Sequence, residues 1–188
     1  HAVIEEMNRL GMIVDLSHAG KKTCLDAIES SSKPVAITHA NPSSFCNAIR
    51  NIDDEVLLSL ANKNGFIGLS MYPFHLKNHG KCKIEDFCFM VKQLINLIGI
   101  DHIGIGSDLC NNWPDDVVMW MRNGKWTKKL DYGESVNKSI VWPEQPPWFK
   151  KGSDMKNIFE AMILNDFSED QAFKILGANW LEFMKIHF

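Results

Sequence analysis

Two histidines each stand just past a short apolar run: His18 after residues 12–17 (MIVDLS) and His39 after residues 35–38 (VAIT). Neutral imidazole is a borderline ligand suited to zinc, and two neighbouring strands can aim two imidazoles at one ion. A single histidine at a strand end is more often a hydrogen-bonded core or turn residue; two at equivalent positions of successive units bring the metal reading level with it. Asp108 follows a further apolar run, residues 102–106 (HIGIG), in GIGSD. Gly104, Gly106 and Asp108 share one face there, and glycines would leave room below the carboxylate for a barrel interior or a ligand. Asp108 suits a general acid/base beside a metal, or a cap on the next turn. The GIG also resembles part of a dinucleotide loop, but no third glycine follows at the needed offset. Arg50, in AIRNIDDE, offers a planar fork that could clamp a substrate carboxylate, or pair on the surface with Asp53 or Asp54. Asp15, three residues before His18, reads as a carboxylate that orients a basic neighbour. His75 and His79 are four apart, but Pro73 and Gly80 flank them, so both are expected in a solvated loop. His102 and His187 carry less signal.

These residues need elements to position them. Apolar runs at 12–17, 35–38, 66–71 and 102–106 predict strands. Helical stretches are predicted at 21–31, at 53–63 (capped by Asp53, stopped at Asn64-Gly65) and at 84–97, ended by Gly99. Strands alternating with helices predict a parallel sheet of βα units. The strand ends fall at His18, His39, Met71 and Asp108, near the spacing of about 30 residues per unit of a (β/α)₈ barrel. Barrel active sites are built at those C-terminal strand ends.

Residues 111–152 break the rhythm. They hold Trp113, Trp120, Trp126, Trp142 and Trp148, with Pro143, Pro146 and Pro147. A connection this long is usually functional or has structure of its own. It is expected to cross the barrel mouth with a short helix near 115–122, as a substrate lid, a dimer contact or a tryptophan-pinned surface loop. Helices are expected again at 155–164, from the capping box Ser168-x-x-Gln171 to near Gly177, and at 179–186.

The 188 residues, 45% hydrophobic with a net charge of −3, suffice for one domain core. The mildly acidic balance gives no reason to expect nucleic acid or an anionic membrane as partner. No apolar run approaches the ~20 residues needed to span a bilayer. The cysteines, Cys24, Cys46, Cys82, Cys88 and Cys110, are odd in number and contain no C-x-x-C pair. They read as reduced packing thiols in a reducing, cytoplasmic compartment, with a Cys82–Cys88 bridge as the one pairing left open. The sequence opens inside an amphipathic helix, with Val3, Ile4, Met7 and Leu10 on one face. It is therefore expected to start partway through a longer protein.

Taken jointly, GMIVDLSH ending at His18, PVAITH ending at His39, RNIDDE from Arg50, GIDHIGIGSD ending at Asp108 and ILGANWLEF at 175–183 resemble the renal (membrane) dipeptidase family of zinc peptidases. The resemblance implies an α/β fold, a (β/α)₈ TIM barrel of the metal-dependent hydrolase type, holding two zinc ions and hydrolysing dipeptides. His18 and His39 would ligate one metal, Arg50 would hold the substrate carboxylate or tetrahedral intermediate, and Asp108 would protonate the leaving amine. The family's His-x-Asp pair, bridging Glu and further substrate-binding His have no counterpart here. The chain therefore aligns as a single partial domain, residues 1–188, forming strands five to eight. Residues 41–44 (NPSS) and 109–111 (LCN) differ from the family's usual serines and F-D-G, which implies a different loop and substrate. The partners expected are a dipeptide and either a second copy of the chain or an N-terminal half. Two other readings stay open: a non-catalytic half-barrel scaffold, and another amidohydrolase of the same barrel type.

Overall fold

The structure is a computed structural model that describes residues 1–110, 113, 114, 116, 117 and 142–188. Its helices are α1 (Ala2–Arg9), α2 (Lys21–Ser30), α3 (Asp54–Asn62), α4 (Ile84–Ile98), α5 (Met155–Leu164), α6 (Glu169–Phe173) and α7 (Asn179–Lys185). Strands β1 (Ala36–Ala40), β2 (Phe66–Leu69) and β3 (Ile103–Ile105) pair in parallel in the order β1-β2-β3. The helices between them are the crossovers that parallel neighbours require.

Local chemistry sets these boundaries. α3 carries Asp54 and Glu55 in its first turn, where carboxylates complement the helix dipole. α4 buries Phe87, Met90, Val91, Leu94 and Ile98 along one face and stops at Gly99, whose φ of 85° glycine adopts freely. α6 opens on the expected capping box, with Ser168 accepting from the Gln171 amide. The helical path breaks at Gly177 as expected: its φ of 174° and ψ of −33° are not helical, and the chain kinks there before α7.

The first expected strand shrinks to a single bridge, Asp15 to Ala36. The Ala36 amide donates to the Val14 carbonyl and the Leu16 amide to the Ala36 carbonyl. Beyond that, the Asp15 carboxylate accepts the Ser17 and Thr38 amides that a longer ladder would use. The β1–β2 register is also interrupted: Ile37 faces Ile67, yet Ala40 faces Leu69. Thr38 and His39 therefore stand opposite one residue, Gly68. Such a bulge twists the strand and re-aims a side chain.

The two faces of the sheet pack differently. Ile37, Ile67, Leu69 and Ile103 join the helices in the main core, with Leu57, Leu60, Phe87 and Ile158 among their fully buried partners. On the other face, Trp180 and Phe183 of α7 cover Ala36 and Phe66. This corrects the expectation for the glycines of β3. A Cβ at Gly104 would meet the Phe66 ring at 2.6 Å and Trp180 at 2.8 Å, and one at Gly106 would strike the Thr38 carbonyl. The glycines admit protein to the sheet face: among the described residues, Phe66, Trp180 and the Thr38 carbonyl occupy the space beside them.

One other expectation is corrected. His75, expected in solvent, is buried, and His187 is also buried. His79 is exposed as expected. Cys24, Cys82 and Cys88 are thiols inside the fold, and the Cys82–Cys88 bridge left open in the sequence is not formed. Trp148 packs on Phe87 and donates to the Cys82 carbonyl, which pins the end of the tryptophan-rich segment. The helix expected near 115–122 lies outside the described residues. Among the described residues no helix is long and apolar enough to cross a membrane.

Candidate functional site

His18 follows the Asp15 bridge in a turn and adopts φ 67°, a left-handed conformation uncommon outside glycine and asparagine. His39 sits on the β1 bulge. Together these features bring the two imidazoles face to edge, with ring centroids 5.0 Å apart and Nε2 atoms 2.9 Å apart.

A hydrogen-bond chain behind them fixes which nitrogen is free. Thr38 Oγ1 donates to Asp15 Oδ2 (2.7 Å) and Ser17 Oγ donates to Asp15 Oδ1 (2.8 Å). With its proton thus engaged, the Thr38 hydroxyl accepts from His39 Nδ1 (2.8 Å). Ser17 Oγ accepts the His39 amide. His39 is held with Nδ1 protonated and a lone pair on Nε2, and the Nε2–H of His18 donates to it. Burial pushes the pKa of Asp15 up, but the bonds from Ser17 and Thr38 outweigh this and hold it below its ordinary value. Asp15 thus acts as the sequence suggested, orienting a basic group, but through a threonine.

Burial first, and then the positive charge of Arg50 and His39, lower the pKa of His18. A neutral imidazole is the form that binds metal. Two nitrogens 2.9 Å apart can both lie within the ~2.0–2.1 Å zinc–nitrogen distance of one point. The pair therefore fits a metal as two of its ligands. Among the described residues, no group of three or more His, Cys, Asp or Glu is placed to hold an ion.

Arg50 does not make the surface pairs open to it in the sequence. Asp53 is taken by Lys21 and Ser43, and Asp54 by Ser44. Arg50 Nε is buried without a hydrogen-bond partner among the described residues. Its side chain lines a cleft of about 220 Å³ with His18, Ala19, Gly20 and Asn51. Larger clefts of about 420 and 610 Å³, along α4 and at the N-terminal strand ends, contain none of His18, His39, Arg50 or Asp108. Asp108 lies three residues past β3 at φ 52°, and burial raises its pKa while the charge of His39 opposes the rise. The structure thus brings His18, His39 and Arg50 to one end of the sheet. Asp108 is within electrostatic reach of His39.

Sequence reasoning missed a polar network beside this group. Asn41, fully buried, donates from Nδ2 to the carbonyls of Ser70 (2.9 Å) and His75 (3.1 Å) and accepts the Ser70 amide (3.1 Å). Its own amide donates to Asn51 Oδ1, and Asn51 Nδ2 donates to the carbonyls of Cys46 and His75. One asparagine therefore ties the end of β1 to the end of β2 and to the Arg50 loop. Asn41→Ala would remove three hydrogen bonds and leave the buried Ser70 carbonyl without its side-chain donor, while the His75 carbonyl keeps Asn51; it is expected to lower the unfolding free energy by about 2–3 kcal/mol in urea titrations. A change under about 0.5 kcal/mol would contradict this role.

Comparison with known proteins places these features in context. The model of the membrane dipeptidase family, peptidase family M19, matches residues 1–117. Dipeptidase tcpJ of Claviceps purpurea is 39% identical over 142 residues, covering 69% of this chain and 33% of the relative. Dipeptidase aclJ of Aspergillus oryzae is 34% identical over 109 residues, 57% of this chain and 26% of the relative. The chain thus spans a third or less of the length of these curated relatives. Among solved structures, an amidohydrolase from Pseudomonas aeruginosa superposes with a TM-score of 0.87 at 29% identity, covering 98% of this chain and 55% of that one. A metallo peptidase from Rhodobacter sphaeroides, liganded with a phosphinate mimic of L-Ala-D-Ala, superposes with a TM-score of 0.77. At 21% identity, over 100% of this chain and 46% of that one, the second likeness speaks to fold alone.

Proposed function

Because this chain belongs to the membrane dipeptidase family, peptidase family M19, we propose that it supplies half of a zinc-dependent dipeptidase site. In this reading residues 1–188 are one partial domain, strands five to eight of a (β/α)₈ barrel. The observation that carries it is the His18–His39 pair, with Nε2 atoms 2.9 Å apart and the His39 tautomer fixed through Thr38 by Asp15. A hydrogen-bonded partner of that kind behind a metal-binding imidazole is a recurrent feature of metal sites. The remaining ligands come from protein beyond the described residues.

Zinc bound there would supply Lewis acidity and a water of lowered pKa. His39 holds an Nε2 lone pair toward the shared point, while His18 must move its Nε2 proton to Nδ1 before its own Nε2 can join it. Arg50 keeps an unpaired guanidinium nitrogen beside the cleft. Its fork receives the C-terminal carboxylate of the dipeptide, which orients the peptide carbonyl toward the histidines. Asp108, whose half-buried carboxyl keeps a proton more readily than usual, gives that proton to the departing amine.

The test is hydrolysis of a panel of dipeptides by the enzyme containing this chain, before and after chelation. Chelation is expected to abolish turnover, and added zinc to restore it. Arg50→Met is expected to raise KM by roughly 10–100-fold, and only for substrates with a free C-terminal carboxylate. Turnover that survives complete metal removal would sink the proposal.

A further inference from the structure

We propose that His75 is an additional substrate contact, offering Nε2–H as an uncharged hydrogen-bond donor to the carbonyl oxygen of the peptide being cut. This rests on the dipeptidase reading and adds a residue to it.

The placement is specific. His75 closes the short 3₁₀ turn Pro73–His75 that follows β2. Its carbonyl accepts from two side chains, Asn41 Nδ2 at 3.1 Å and Asn51 Nδ2 at 3.0 Å. Asn41 lies two residues past His39, and Asn51 follows Arg50. One residue is therefore stitched to the metal-binding strand and to the carboxylate-binding loop. The ring is 2% exposed and packs edge-on against Tyr72 at 5.2 Å.

The hydrogen bonds decide which ring nitrogen bears the proton. Ser70 Oγ accepts from the Tyr72 amide (3.1 Å) and lies 2.8 Å from His75 Nδ1. Among the described residues the Ser70 hydroxyl proton has no acceptor other than Nδ1. Ser70 therefore donates to Nδ1, and the proton of the imidazole resides on Nε2. That N–H makes no hydrogen bond among the described residues, although its ring is otherwise enclosed. Nε2 is not one of the fully buried atoms left without a partner, so an approach to it stays open, and a substrate carbonyl would fill it.

The electrostatics agree with this geometry. Burial, reinforced by the positive charge of His39, His18 and Arg50, lowers the His75 pKa to about 4. The ring stays uncharged at neutral pH, so it is not repelled by cationic neighbours and keeps its donor. An uncharged imidazole N–H placed this way polarises a carbonyl and stabilises the oxyanion that develops from it.

Two measurements test the idea on the enzyme containing this chain. Nitrogen NMR of ¹⁵N-histidine-labelled protein, with His75→Gln to assign the signal, is expected to show an uncharged Nε2–H tautomer at neutral pH. A protonated ring, or an Nδ1–H tautomer, overturns the proposal independently of turnover. In kinetics, His75→Phe keeps the ring shape without the donor. It is expected to lower kcat about 10²-fold with KM changed less than about threefold. His75→Gln, whose side-chain amide can replace the N–H, is expected to recover most of that loss. If the phenylalanine variant does not fold, the tautomer and the glutamine variant decide. Wild-type kcat in a folded His75→Phe enzyme overturns this inference alone. A wild-type enzyme that cleaves no dipeptide overturns the dipeptidase reading and this inference with it.

Discussion

In the enzyme containing this chain, His39→Ala is expected to remove bound zinc and to reduce kcat by more than the roughly 10–100-fold that follows loss of a group behind a metal ligand. The structure supplies the scale. Asp15 touches neither histidine, acting on His39 through Thr38 and Ser17. Asp15→Asn is therefore the internal control, expected to fall within that range. His39→Ala removes the nitrogen itself, on a bulge that exists to aim it. His18→Ala is expected to match it, because each imidazole alone leaves a single nitrogen where two converge at 2.9 Å. The double variant should be little worse than either single one, as expected when two groups act as a unit. Zinc stoichiometry by elemental analysis, read beside dipeptide turnover, checks all four proteins. Full zinc content and full turnover in His39→Ala would show that the pair is a hydrogen-bonded contact and not a ligand set.

The pairing of His18 with His39 was legible because its signal is local. The apolar run before His39 marks a strand on its own, the run before His18 yields one bridge, and α2, α3, α4 and α5 fall within a residue or two of expectation. What escaped depends on partners distant in sequence. The bulge at Thr38–His39 is defined by Gly68, about thirty residues on. His75 looked solvated because Pro73 and Gly80 mark turns. A turn can still be interior when Asn41 and Asn51 satisfy its carbonyl. The room expected beneath Asp108 is taken by Phe66 and Trp180, and no reading of GIGSD alone could reveal a tryptophan more than seventy residues away. Arg50 was open between two roles; Asp53 is taken by Lys21 and Asp54 by Ser44, and Arg50 Nε has no partner among the described residues. In physical terms, periodicity reports which face of an element is apolar. It does not report which polar group another element brings to meet it.

The second large effect is expected at Asp108. Asp108→Asn should lower kcat on dipeptides by roughly 10²–10⁴-fold while moving KM little, the signature of a group needed for proton transfer and not for binding. The backbone makes this substitution a clean one. Asp108 adopts φ 52°, a conformation that asparagine tolerates as well as aspartate does. The variant therefore keeps the turn and alters only the proton. Burial already raises the Asp108 pKa, against the opposing charge of His39. The carboxyl is thus biased toward holding the proton that an amine needs on leaving. An amine is a poor leaving group unless protonated, whereas a phenolate departs without help. The deficit of Asp108→Asn should then shrink strongly on an activated ester built on the same dipeptide scaffold. An equal deficit on amide and activated ester would remove Asp108 from the role of acid. It would leave instead a carboxylate that shapes the loop after β3.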